Sequence, residues 1–179
     1  MLEGKNINLR PLKMSDWEKT IQWRNNVGLK KLAMSHPFPI TDMLEKKWYE
    51  NIIKSKNDKS VYFAVAKKDA NLIGFITLNK ISYIHRNCYL GVIIGENKEQ
   101  GKGFGREAVE LIIHYAFQTL NLNKITVEIV SNNKNSLSMF ERLGFIKEGE
   151  MKQQFYSDGI YFNVIILSVF RSLISEKNG

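Results

Sequence analysis

One stretch near the middle of the chain constrains its fold more than any other. A nearly unbroken apolar run, Tyr89-Leu90-Gly91-Val92-Ile93-Ile94, is followed by Gln100-Gly101-Lys102-Gly103-Phe104-Gly105-Arg106 and then by apolar residues at helical spacing. The run has the length and continuity of a central strand covered on both faces. Beyond the glycines, Val109, Ile112, Ile113, Ala116, Phe117 and Leu120 share one face of a long amphipathic helix. The first amides of such a helix lack internal acceptors, and glycine admits positive φ and a close backbone approach. A strand, glycine turn and helix in this order therefore form an α/β unit whose turn suits a pyrophosphate. Two nucleotide motifs are excluded. No Gly-Lys-Ser/Thr occurs at Walker spacing, and Arg106 and Glu107 stand where a Rossmann turn needs its third glycine.

The remaining elements can be read outward from this unit. Asn6 to Arg10 alternates as a strand ended by Pro11, and Ser15 with Glu18 has the form of a capping box opening a helix along Trp17, Ile21 and Arg24. Val27 to Thr41, with His36-Pro37-Phe38-Pro39, reads as an extended loop on the substrate side. Asp42 with Glu45 marks a second helix, whose apolar stripe is Leu44, Trp48 and Ile52. Val61 to Lys67 and Leu72 to Asn79 flank a turn at residues 68–71, and Tyr89 to Ile94 pairs next. Ile125, Val127 and Ile129 alternate as a strand, Leu137, Phe140 and Leu143 form a short helix stopped by Gly144, and Asp158-Gly159 turns a final hairpin. The expected fold is α/β: a mixed, mostly antiparallel sheet flanked by helices, in one domain spanning residues 1–179.

Charge and cysteine content narrow the function classes. The net charge of +8 draws anions, but Lys30-Lys31, Lys46-Lys47, Lys54-Lys56 and Lys67-Lys68 are dispersed without an arginine-rich arm, so they read as solvated faces rather than a nucleic-acid surface. Cys88 is the only cysteine, which excludes an internal disulfide and a thiolate metal cluster and fits a reducing compartment. No metal is expected. No apolar run reaches the roughly 20 residues of a membrane span, and the expected location is the cytoplasm.

Gln100, Gly103 and Gly105 match the Gln/Arg-x-x-Gly-x-Gly/Ala signature of the GNAT acetyltransferases. Asn133-Lys134-Asn135-Ser136 and Phe140-Glu141-Arg142-Leu143-Gly144-Phe145 resemble the same family's Asn-x-x-Ser/Ala segment and its Leu-Gly-Phe ending. Within that superfamily the chain is most similar to the branch of spermidine and ribosomal-protein N-terminal acetyltransferases. Tyr83-Ile84-His85-Arg86-Asn87-Cys88 and Lys152-Gln153-Gln154-Phe155-Tyr156 resemble the spermidine enzymes in particular. The resemblance implies the GNAT fold and an N-acetyltransferase that uses acetyl-CoA as cosubstrate, by direct attack of a primary amine in a ternary complex. It implies that main-chain groups of Ile93 and Ile94 hold pantetheine and the acetyl carbonyl. It further places Gln100, Gly101, Lys102, Gly103, Phe104, Gly105 and Arg106 on the pyrophosphate, Asn133 and Ser136 beside the pantetheine arm, and Arg142 on an outer phosphate.

The acid and base positions depart from the family. Phe140 occupies the place of its tyrosine acid and donates no proton; Ser136 is the next candidate. Tyr89 occupies the place of the spermidine enzymes' glutamate, leaving His85 and Tyr156 as candidates for proton transfer and Tyr89 itself for the acceptor. A polyamine needs several carboxylates, which the Met34 to Pro39 loop does not supply. An amino sugar linked to a nucleotide would meet Arg24 or His36, and a protein N-terminus would use an open groove along the Pro-containing loop. The acceptor stays open among these three, as does assembly into a homo-oligomer. A non-catalytic acetyl-CoA sensor is the alternative from another class.

Overall fold

An eight-stranded sheet in the order β1-β2-β3-β4-β5-β6-β8-β7 organises the chain. Its strands are β1 (Leu2–Glu3), β2 (Ile7–Pro11), β3 (Val61–Lys67), β4 (Leu72–Ser82), β5 (Asn87–Ile94), β6 (Lys124–Val130), β7 (Ile146–Ser157) and β8 (Ile160–Phe170). Every neighbouring pair is antiparallel except β5 and β6, which run parallel because α4 crosses between them. The helices are α1 (Trp17–Asn25), α2 (Val27–Leu32), α3 (Asp42–Lys54), α4 (Phe104–His114), α5 (Lys134–Arg142) and α6 (Arg171–Ser175). The computed structural model describes residues 1–54 and 58–175, so Lys56 of the dispersed basic stretches lies outside the described residues. Among the described residues no helix is long and apolar enough to cross a membrane, and no cluster of metal-ligating side chains occurs.

The two faces of the sheet are covered differently. On one, α4, the π-helical turn that continues it (Tyr115–Thr119) and α5 bury Ile112, Ile113, Phe117 and Phe140 against Ile76, Leu90, Ile125, Val127 and Leu167. On the other, α1 and α3 cover only β3 and β4, through Trp23, Trp48, Tyr49, Tyr62 and Phe75. Each fully buried Ile or Leu contributes about 1.5–3 kcal/mol. Exposed ion pairs such as Lys54–Glu50 contribute at most about 1 kcal/mol. Stability thus resides mainly in the α4 face, and α1 and α3 do not extend over the opposite face of β6 and β8.

Four local expectations are corrected. The box at Ser15 and Glu18 does not form: Asp16 accepts from the Lys13 amide at 2.8 Å and takes both nitrogens of Arg10 at 2.8 Å. Residues Val27–Leu32 are helical, capped by the Asn26 side chain on the Leu29 amide, so the loop is confined to residues 33–41. That loop is fastened by Asn25, which bonds both the amide and the carbonyl of Ile40, and by Lys30, which donates to the Phe38 carbonyl at 2.7 Å. In α3 the capping hydroxyl is Thr41, and Glu45 points inward with 0% exposure, accepting from Thr20 at 2.9 Å and pairing with Arg24 at 2.5 Å. The buried stripe of α3 therefore runs through Glu45 and Tyr49, while Leu44 is exposed. Burial pushes the Glu45 carboxyl above the usual range, although Arg24 and Thr20 draw it back.

Candidate active site

β5 and β6 pair over a short length only. Asn87, Cys88 and Tyr89 are in register with Lys124, Ile125 and Thr126, and beyond that point the strands separate. β6 continues to Val130 bonded to β8, and β5 continues to Ile94 bonded to β4. The result is a split that opens toward the start of α4. Along the end of β5 the Gly95 amide donates to Ile73, and the Ile93 carbonyl abuts Gly74, where an added Cβ would lie 2.1 Å from that oxygen. Main-chain groups of the odd-numbered residues thus turn toward β4, and alternation directs those of Val92 and Ile94 to the split. Of the expected pair, the main chain of Ile94 faces the split and that of Ile93 faces β4; the main chain of Val92, outside the expected pair, also faces the split.

The glycine loop closes the mouth of the split. Gln100 donates its side-chain amide to the Ile94 carbonyl at 2.8 Å, fixing the loop to the strand end. Gly101 and Gly103 have φ of 74° and 87°, and nothing lies within 4 Å of a Cβ built at either. Gly103 caps α4, and Glu107 is the first residue whose amide returns to it, leaving the amides of Phe104, Gly105 and Arg106 without helical acceptors. This arrangement fits an anionic pyrophosphate. Lys102 pairs with Glu99 at 3.0 Å and Arg106 with Glu110 at 2.9 Å. The Arg106–Glu110 pair is exposed and worth less than about 1 kcal/mol, whereas Glu99 is partly buried and also pairs with Lys67 at 3.4 Å. Glu107 faces away, accepting from the amides of Asn6 and Ile7; burial alone would raise its pKa, but these donors hold it below the usual range.

The other lip is the start of α5. Asn133 caps this helix by accepting from the Ser136 amide at 3.2 Å, which leaves its side-chain NH2 free of partners among the described residues. Ser136 is half-buried and its hydroxyl is likewise unpartnered there. Phe140 is 2% exposed with its ring edge-on to Phe145 at 4.9 Å, so this position belongs to the core. Arg142 is exposed at the far end of α5 without a partner among the described residues.

Strand alternation sorts the acceptor-side candidates. Tyr89, Thr126 and Glu128 lie on the face opposite Ile125, Val127 and Ile129, and Tyr89 sits at the apex of the split under the Lys80 ammonium, 4.9 Å from its ring centroid. His85 is not there. It is exposed in the turn before β5, at the end where β5 and β6 are still paired. Tyr156 is also displaced, because a bulge between Met151 and Phe155, with Gln153 at φ 50° held by Asn163, sets its register. It pairs with Tyr161, on the side of β8 that carries Ile165 and Leu167, opposite Glu128. Arg24 is engaged by Glu45 and stacks on Trp48 at 4.3 Å, which makes it an internal strut rather than a free cation. His36 stays exposed on the fastened loop, and α2 reaches the β7–β8 turn through Lys31 and Asp158 at 2.6 Å.

A carboxylate outside the expected site residues, Glu128, also lies beside the split. It is exposed, lies two positions past the last β5–β6 pair on the face of Tyr89, and has no hydrogen bond or ion pair among the described residues. The available signal was a lone carboxylate in the strand leading into Asn133.

Known proteins are similar to this chain in sequence and in fold. A family model described as an acetyltransferase (GNAT) domain matches residues 6–146. The spermidine N(1)-acetyltransferase of Vibrio cholerae serotype O1 is 30% identical over 166 residues, covering 93% of this chain and 94% of its own length. The crystal structure of spermidine N-acetyltransferase from Vibrio cholerae in complex with CoA and spermine superposes with a TM-score of 0.86 at 29% identity, covering 94% of this chain and 97% of that one. A dodecameric structure of spermidine N-acetyltransferase from Vibrio cholerae gives 0.82 at 28% identity, covering 97% and 99%.

Proposed function

We propose, for a chain that belongs to the GNAT acetyltransferase family and transfers the acetyl group of acetyl-CoA to a primary amine, that the amine enters on the face carrying Tyr89 and delivers its proton to Glu128. The observation that carries this reading is the placement of Glu128: an exposed carboxylate without a partner among the described residues, beside the opening between β5 and β6. Amines are protonated near neutral pH, and only the neutral form attacks a thioester. A carboxylate at the split first attracts the ammonium and then accepts its proton. The neutral amine then attacks: the new N–C bond forms as the C–S bond breaks, Ser136 gives its hydroxyl proton to the leaving sulfur, and the second amine proton, shed as the amide forms, returns to Ser136. The amides of Phe104, Gly105 and Arg106 hold the pyrophosphate, while the Val92 and Ile94 main chain and Asn133 hold the pantetheine arm. Arg142 is the remaining phosphate contact. Residues 1–179 act as one acetyltransferase unit in this reading.

For the acceptor we favour a polyamine, supported by the relatives named as spermidine acetyltransferases. Assembly into a homo-oligomer is supported by the dodecameric relative and is tested by sedimentation. The direct experiment follows CoA release with spermidine, an amino-sugar nucleotide and a short peptide, for the wild type and Glu128→Gln. A general base contributes about 10²–10⁴-fold, so Glu128→Gln is expected to lower kcat by about two orders of magnitude with unchanged acetyl-CoA affinity. Activity within about twofold of wild type would remove Glu128 from the mechanism, and selective turnover of the sugar or peptide would replace the polyamine.

A further inference from the structure

Beside the split, two hydroxyls are buried side by side on adjacent strands. Thr126 on β6 and Ser168 on β8 are in register, 7% and 0% exposed, with their oxygens 2.9 Å apart. The Ser168 oxygen is also 2.5 Å from Glu148 Oε2, and Glu148 lies 2.6 Å from the ammonium of Lys124. These contacts fix the direction of the chain. A carboxylate only accepts, so Ser168 donates to Glu148; Ser168 then accepts from Thr126, whose single proton is thereby committed. Any further hydrogen bond at Thr126 Oγ1 must be one that it accepts. Lys124 first and Ser168 second hold the Glu148 carboxyl below the usual range, so this polarity persists through neutral pH. Sheet stability gives no reason for the chain, because two well-packed methyl groups in place of the hydroxyl pair would serve about equally well.

The position of Thr126 supplies a reason. It forms the last pair with Tyr89 at the apex of the split, and it precedes Glu128 by two residues on the same face. We infer that Thr126, held as an acceptor by Ser168 and Glu148, receives a hydrogen bond from the attacking amine and so directs the nitrogen lone pair toward the thioester. This rests on the amine site proposed above. A neutral primary amine has two N–H groups and one lone pair, so one N–H on Thr126 leaves the lone pair for the carbonyl carbon. Thr126 is then a catalytic residue, and Ser168 and Glu148 are positioning residues.

The test uses the full chain with acetyl-CoA and the amine that the wild type turns over fastest. One hydrogen bond of ordinary strength corresponds to about tenfold. Thr126→Val is expected to lower kcat/KM for the amine about tenfold while leaving KM for acetyl-CoA unchanged, and Thr126→Ser is expected to restore it. Ser168→Ala leaves the apex hydroxyl in place but frees its proton, and a severalfold fall in the same ratio is expected even if the valine variant folds poorly. Unchanged amine kinetics in Thr126→Val, or equal losses in the valine and serine variants, would overturn the inference while leaving the amine site intact. A wild type that turns over no amine would overturn both.

Discussion

Gly103 and Gly105 differ in a way that separates backbone strain from cofactor approach. Gly103 has φ 87° with open space around it, so a methyl group there meets no atom but must occupy a left-handed conformation, at a cost of about 1–2 kcal/mol. Gly105 lies in the first turn of α4, where an added Cβ would rest 3.5 Å from Ile94 and 3.9 Å from Met139, an ordinary contact. Alanine at 105 should then be neutral or stabilise the free protein by up to about 1 kcal/mol. For a chain of this length 1 kcal/mol moves Tm by about 2–4 °C. Gly103→Ala is expected to lower Tm by about 2–8 °C, and Gly105→Ala to leave it level or raise it slightly. A third variant isolates charge: Gly103→Glu shares the strain of Gly103→Ala but sets a carboxylate against the pyrophosphate. At about 5 Å and an effective dielectric near 20, that repulsion is about 3.3 kcal/mol, roughly two hundredfold in affinity. Differential scanning fluorimetry of the free protein and calorimetric titration with acetyl-CoA measure the two effects separately. Equal Tm losses for the two alanine variants would refute the strain argument, and equal acetyl-CoA affinity for Gly103→Ala and Gly103→Glu would refute the loop as the pyrophosphate site.

Three further outcomes follow from buried or strongly paired groups. Glu45→Ala leaves the Arg24 guanidinium on Trp48 uncompensated and removes the charged acceptor of Thr20, which keeps the Trp17 carbonyl and the Tyr49 hydroxyl; because Arg24 is partly exposed, the loss should be about 2–3 kcal/mol in urea unfolding, below the range for a fully buried pair. A loss under about 0.5 kcal/mol would deny the network a structural role. Burial pushes the Cys88 thiol up to about 12, so Ellman's reagent should leave it unmodified in the native protein and titrate it fully in denaturant; fast native labelling would contradict its place in the core. Hydrogen bonds from Lys147, Lys152 and Asn163 hold Glu150 down to about 2 from 4.5. Its contribution is present above pH 4.5 and is lost as pH falls toward 2, so Glu150→Gln should flatten part of the acid decline of Tm in that window, and an unchanged profile would count against it.

Local chemistry determined what the sequence revealed about the fold. Val61–Lys67 is bounded by a turn that its own residues specify, and Asp158-Gly159, at φ 52° and 81°, makes the hairpin turn that its dipeptide demands. Gly144, at φ 92°, ends α5 as expected. The failures share a different cause. In α3 the inward face includes a charged Glu45 whose partners, Thr20 and Arg24, lie on another helix, so hydrophobic periodicity chose Leu44 instead. The side of the sheet on which Tyr156 falls depends on the bulge held by Asn163, ten residues from Gln153. Neither fact is written within one helical turn or one strand period of the residue concerned.

Glu128 shows why the cofactor half of the site was more legible than the acceptor half. The cofactor half is a contiguous loop whose glycines and helix start carry their own meaning. A glutamate alternating with Ile125, Val127 and Ile129 reads as the solvent side of an ordinary strand. The role proposed for it depends on β5 leaving β6 after Tyr89 and Thr126. That departure has an identifiable cause on the far side of β5. The amides of Gly95 and Glu96 both bond to Ile73 of β4, and the ring of Trp23 lies so close to Gly95 that an added Cβ would be 2.0 Å from it. Packing with α1 and hydrogen bonds to β4 thus draw the end of β5 away from β6. The residues that give Glu128 its environment are more than thirty positions before it in sequence, and the chemistry of position 128 was legible only once that long-range packing was known.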